Sequence, residues 1–105
     1  MTLPDIRFHR PAPALTEAEI ARNVASLPMP PTWTREDDVA LMIGLFKGLS
    51  LQAIADRIDR RDGNVKARWL DLKRAAGVTE GAVPLDAQNA LLRIVRARAL
   101  PGGLT

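Results

Sequence analysis

The sequence predicts an all-α fold of five helices, and three observations carry that prediction. No run of β-branched or aromatic residues alternates with period two, the pattern of a half-buried strand. Prolines divide the chain: Pro4, Pro11 and Pro13 in an extended start, Pro28, Pro30 and Pro31 in a linker, Pro84 and Pro101 around a last element. The pieces between them carry capping residues followed by apolar residues at helical spacing. One structural domain is expected, in four stretches: an extended, flexible start (1–14), a helix and Pro linker (15–32), a three-helix unit (33–77), and a linker, helix and tail (78–105).

The first helix is expected from about Glu17 to Leu27. Thr16 and Glu19 have the spacing of a capping box, and Leu15 with Ile20 that of the flanking hydrophobic staple. Ile20, Val24 and Leu27 form a narrow stripe, so this helix covers something rather than building a core alone. The second helix starts after Thr34. Glu36, Asp37 and Asp38 in its first turn complement the helix dipole, a better account of three adjacent acids than a metal site without further ligands. Gly48 ends it. A short third helix runs from about Leu51 to Ile58, with Ser50 as cap and Leu49 and Ile54 as staple. Asp59, Arg60 and Arg61 make a turn. Asp62 then caps a fourth helix that runs to about Ala76 and stops at Gly77. Its buried face is Val65, Trp69, Leu72 and Ala76, which makes the core the expected place for Trp69, and for Trp33, rather than a base-stacking surface. The fifth helix is expected from about Ala87 to Ala99, with Asp86 as cap and Leu91, Ile94 and Val95 as apolar face.

Composition narrows the chemistry. A chain of 105 residues supports one small core, burying roughly two-thirds of the surface it would otherwise expose. With no cysteine there is no disulfide framework, thiolate zinc site or thiol nucleophile. The single histidine, His9, stands beside Arg7 and Arg10 in a Pro-rich stretch, read as a disordered tail in preference to a minor-groove arm. No nucleophile–base pair, metal cluster or phosphate-cradling glycine loop is evident, so neither an enzyme nor a cofactor is expected. No segment approaches the roughly 18 uninterrupted apolar residues of a membrane span, and Met1 to Arg10 has no apolar signal core. The expected location is the cytoplasm, on the nucleoid when DNA is bound. The net charge of +3 and pI near 10.2 admit a nucleic-acid partner.

Helices two to four, about residues 34–76, have the layout of a trihelical helix-turn-helix unit. In that unit a short third and a basic fourth helix meet at a tight turn, and the fourth enters the major groove. Between Arg57 and Arg74 there are seven basic residues, Arg57, Arg60, Arg61, Lys66, Arg68, Lys73 and Arg74, against Asp59, Asp62 and Asp71. The face opposite Val65, Trp69 and Leu72 carries Gly63, Ala67, Leu70 and Arg74, flanked by Lys66 and Asp71. Arg60, Arg61, Lys73 and Arg74 are expected to contact phosphates, with Arg57 in the same basic cluster; Asn64, Lys66 and Ala67 approach base edges. Ala67 and Leu70 could touch thymine methyls but cannot read guanine.

Trp33-Thr34-Arg35-Glu36-Asp37-Asp38, followed by Leu41, Gly48, Ile54-Ala55, Ile58 and Arg68-Trp69, resembles a Myb/SANT repeat. Leu51 stands where that repeat has its second tryptophan, and Ile58 to Trp69 is one residue short of the usual spacing. Gly48-Leu49-Ser50, Ile54-Ala55 and Asn64-Val65-Lys66 are similar to LuxR-type and sigma-region-4-like bacterial domains, and the layout is also similar to that of GcrA-like regulators. The resemblance covers Trp33 to Gly77 and implies a DNA-binding module, most simply a bacterial transcriptional regulator. It leaves two alternatives: a SANT-like protein-interaction module, suggested by the apolar Ala67 and Leu70, and a phage-type small terminase subunit.

Beyond double-stranded DNA, the expected partners are another protein, RNA polymerase, or a second subunit. Leu41, Met42 and Leu45 suit the trihelical core, while Val39, Ile43 and Phe46 make a second apolar stripe on helix two that something must cover. The candidates are the first helix, the fifth helix or a second subunit, and the first helix is preferred because the Pro linker allows a sharp reversal. Val39, Ile43 and Phe46, with Leu91, Leu92 and Val95 of the last helix, are otherwise the candidate dimer or partner surface. A membrane surface is not expected, since the last helix offers three arginines and no aromatic anchor.

Overall fold

The computed structural model describes residues 14–100, so the readings of His9 and of the two chain ends lie outside the described residues. Five helices and no strand are found among them: α1 (Glu17–Ser26), α2 (Arg35–Phe46), α3 (Leu51–Ile58), α4 (Asp62–Ala75) and α5 (Leu85–Ala99).

Local chemistry sets most boundaries. Thr16 and Glu19 exchange the two hydrogen bonds of a capping box at α1, and Thr34 and Asp37 do the same at α2. The Ser50 hydroxyl accepts from the Ala53 amide and opens α3. Gly48 and Gly77 close α2 and α4 in the left-handed conformation. At each end the amide after the glycine returns to a carbonyl of the last turn, Leu49 N–H to Gly44 and Val78 N–H to Lys73. Asp59, at φ 58°, ends α3 in the same way, a conformation that aspartate tolerates better than most residues.

Two expected caps are corrected. Asp62 is the first residue of α4, and Arg61 holds the cap position with no side-chain bond. The turn at Asp59 is complete by Arg60, so the Arg61 carbonyl already accepts from Asn64 and Val65. Asp86 lies in the first turn of α5, which begins at Leu85. Pro84, with its φ fixed near the helical value, starts the helix by accepting from the Gln88 amide. Both aspartates still complement the dipole.

The buried centre draws on every helix: Ile20 and Val24 of α1, Leu41 and Met42 of α2, Ile54 and Ala55 of α3, Val65 and Leu72 of α4, Leu91 and Val95 of α5. Trp69 is half-buried against it. α3 packs on both α2 and α4. α5, not α1, is laid along α2. α1 instead packs on α4 and α5, where the Asn23 amide donates to the Ala75 carbonyl and Glu17 pairs with Arg93. The Arg93 hydrogen bonds hold the Glu17 carboxyl below its ordinary pKa. The reason for the exchange is width. α1 buries only Ile20 and Val24, whereas α5 buries Ala90, Leu91, Ile94 and Val95.

At Gly44 the side chain of Ile54 on α3 packs directly against α2. A Cβ there would lie 2.6 and 2.8 Å from the Cγ1 and Cδ1 carbons of the buried Ile54. Gly44→Ala is therefore expected to lower stability by about 1–3 kcal/mol through overpacking, against a helix-propensity gain of at most roughly 1 kcal/mol. Denaturant unfolding checks it; an unchanged or raised midpoint would show that Ile54 yields without loss.

Candidate nucleic-acid interface

The orientation of α4 is fixed from behind. Arg68, in the middle of the helix, is 1% exposed and faces α2. Its Nε and Nη2 donate to the two carboxylate oxygens of Asp38, each at 2.8 Å. The same carboxylate accepts the indole N–H of Trp33 at 2.7 Å, and Arg68 Nη1 reaches the Pro28 carbonyl at 3.4 Å. A two-pronged pair of this kind constrains both distance and plane. It ties α4 to the start of α2 and to the Pro linker. Trp33 is thus a buried, hydrogen-bonded core residue, as the sequence suggests. Two of the three acids of α2 are accounted for too: Asp37 caps and pairs, and Asp38 pairs.

With Arg68, Val65 and Leu72 turned inward, the opposite side of α4 is open. Gly63, Asn64, Lys66, Ala67 and Arg74 are exposed, and Leu70 is 42% exposed, unusual for a leucine. Gly63 to Arg74 spans about 16 Å along the helix at 1.5 Å per residue. The N-terminal end of this strip is free of side-chain caps. A Cβ at Gly63 would meet nothing within 4 Å, so internal packing does not require the glycine.

The charge on this side is smaller than the sequence count implies. Arg68 is buried against Asp38, a correction to its place in the basic cluster. Arg60 is half-buried, its guanidinium 2.9 Å from the Asp37 carboxylate, so it meets the surface already compensated. Five cations remain: Arg57, Arg61, Lys66 and Arg74, all exposed, and Lys73, half-exposed. Arg57 stands apart, lining a groove between α2 and α3.

No family model, curated protein or solved structure matches the chain.

The chemistry of the surface is therefore read from its own residues. Lys66 and Asn64 are hydrogen-bonding side chains within three residues of each other, beside the uncapped helix start. Arg61 at the start of α4 and Lys73 and Arg74 in its last turn add positive charge, offset in part by Asp59, Asp62 and Asp71. The expected partner surface needs correction as well. Leu91 and Val95 are 0% and 1% exposed inside the chain's own core and cannot meet a partner. Leu92 and Val39 are half-buried against that core. Ile43, half-exposed, and Phe46, 40% exposed, are the open part of the second stripe of α2.

Sequence reasoning missed the Asp38–Arg68 pair. A signal was present: Asp38 precedes Leu41, Met42 and Leu45 at i+3, i+4 and i+7, and Arg68 lies between Val65 and Leu72 on the same face. Opposite charges at buried-phase positions of two helices point to a pair.

Proposed function

We propose that the protein binds duplex DNA as a helix-turn-helix module, with α3 and α4 as the motif pair, α2 behind them and α4 in the major groove, in a transcriptional-regulatory role. The observation that carries this reading is the division of α4 into a face locked by Asp38 and an open strip beside an uncapped helix start. Lys66 and Asn64 meet base edges, asparagine being suited to adenine, and Ala67 and Leu70 lie against thymine methyls. Arg61, Lys73 and Arg74 contact phosphates. The free amides at the start of α4 and the absent side chain of Gly63 let a phosphate approach the backbone.

Fluorescence anisotropy of labelled duplexes across a salt series tests this. Affinity should fall with salt at a log–log slope of about −0.9 per phosphate contact, and Arg74→Gln should make the slope shallower by about one unit. An absence of duplex binding at low salt would end the proposal. The exposed Leu70 and Ala67 support a second reading, a protein-interaction face. Duplex binding unaffected by Lys66→Ala and Leu70→Glu would favour it.

A further inference from the structure

A second surface lies on α2, away from the open strip of α4. Two apolar clefts meet there. One, a shallow and largely open depression, lies between α2 and α5 and is lined by Val39, Ala40, Ile43, Ala97 and Leu100. The other, of about 240 Å³, continues along α2 toward α3 and ends at Leu49, Ile54 and Ile58. Ala40 and Ile43 line both, so the two form one groove. From Glu36 to Lys47 it follows α2 for about 16 Å, three helical turns. Phe46 extends the stripe Val39, Ile43 at the next helical step and is 40% exposed.

The rim decides the occupant. Lys47 and Arg57 stand at one end and Arg96 at the other, and all three are exposed. None of them has a salt-bridge partner among the described residues. Arg93 is on the rim as well but is engaged by Glu17. Glu36 is the single acid lining the groove. An apolar floor three turns long with a cationic rim fits an amphipathic helix whose polar face is acidic. A second copy of this chain would bring the same three cations against one another. The chain's own residues 1–13, with Arg7 and Arg10 against Asp5, would add positive charge to a positive rim.

We infer that this groove is a docking site for an acidic amphipathic helix of a partner protein, separate from the strip on α4. Apolar side chains at i, i+3 or i+4 and i+7 of the partner enter along Val39, Ile43 and Ile58, and its carboxylates meet Arg96, Lys47 and Arg57.

The test uses the full chain without DNA, so its outcome is separate from that of duplex binding. The probe is a labelled synthetic helix with leucines at i, i+3, i+4 and i+7 and glutamates on the remaining face; a second probe replaces every glutamate by lysine. The glutamate peptide should bind saturably and the lysine peptide about tenfold more weakly or less, because each favourable rim pair becomes a repulsion. Ile43→Asp should abolish binding, and Arg96→Glu should weaken the glutamate peptide while strengthening the lysine one. Circular dichroism verifies the fold of both variants. Should Ile43→Asp not fold, Arg96→Glu, on an exposed side chain, decides. Absent saturable binding, equal affinity for the two peptides, or a charge preference untouched by Arg96→Glu would overturn the inference. So would sedimentation of the chain alone as a dimer that Ile43→Asp dissociates.

Discussion

Replacing Arg68 by alanine should cost about 3–5 kcal/mol of stability, the usual penalty for breaking a buried ion pair by removing one partner. Asp38 would keep its carboxylate at a site where it is 1% exposed, with only the Trp33 indole left to donate to it. Asp38→Ala should cost a similar amount, because it strands the guanidinium instead. Arg68→Lys should not restore the wild type, since an ammonium cannot reproduce two parallel N–H bonds to one carboxylate. An apolar double replacement such as Asp38→Leu with Arg68→Met should recover much of either single loss. Urea unfolding measures all four. A midpoint for Arg68→Ala as close to wild type as that of the exposed Arg61→Ala would contradict the buried pair.

Leu91→Ala should cost about 2–5 kcal/mol, the range for a buried leucine whose surroundings collapse only partly. Leu91 is fully buried in the contact that α5 makes with the rest of the core. The loss should not vary with protein concentration. If α5 used Leu91 to join two subunits, the stability change would scale with concentration and the isolated subunit would be unaffected. Phe46→Ala, at 40% exposure, should by contrast change stability little.

The two variants probe different degrees of legibility. The apolar face of α5 could be read from Leu91, Ile94 and Val95, all buried as their spacing requires. What they would be buried against could not, because periodicity names a face and not its neighbour. For that reason the Pro linker pointed to α1 as the cover of α2, a place that α5 holds instead. Helix ends were legible where a side chain makes the cap, at Thr16, Thr34 and Ser50, and where a glycine must turn left-handed, at Gly48 and Gly77. They shifted where backbone geometry sets the start, at Pro84 and after Asp59. The open strip of α4 followed from the helical repeat. Its charge did not, because the repeat assigns Arg60 and Arg68 a direction without showing that Asp37 and Asp38 wait there. Gly44 was silent for the same reason: the carbons that exclude a Cβ belong to Ile54, ten residues on.

The Asp38–Arg68 pair has an evolutionary corollary. It fixes the rotational phase of α4 by one inward contact, and none of Asn64, Lys66, Ala67 or Leu70 takes part in it. Those four positions are at liberty to diverge after a gene duplication. A daughter chain could change the chemistry of the outer strip while inheriting the fold unaltered. Asp38 and Arg68 could change only in concert.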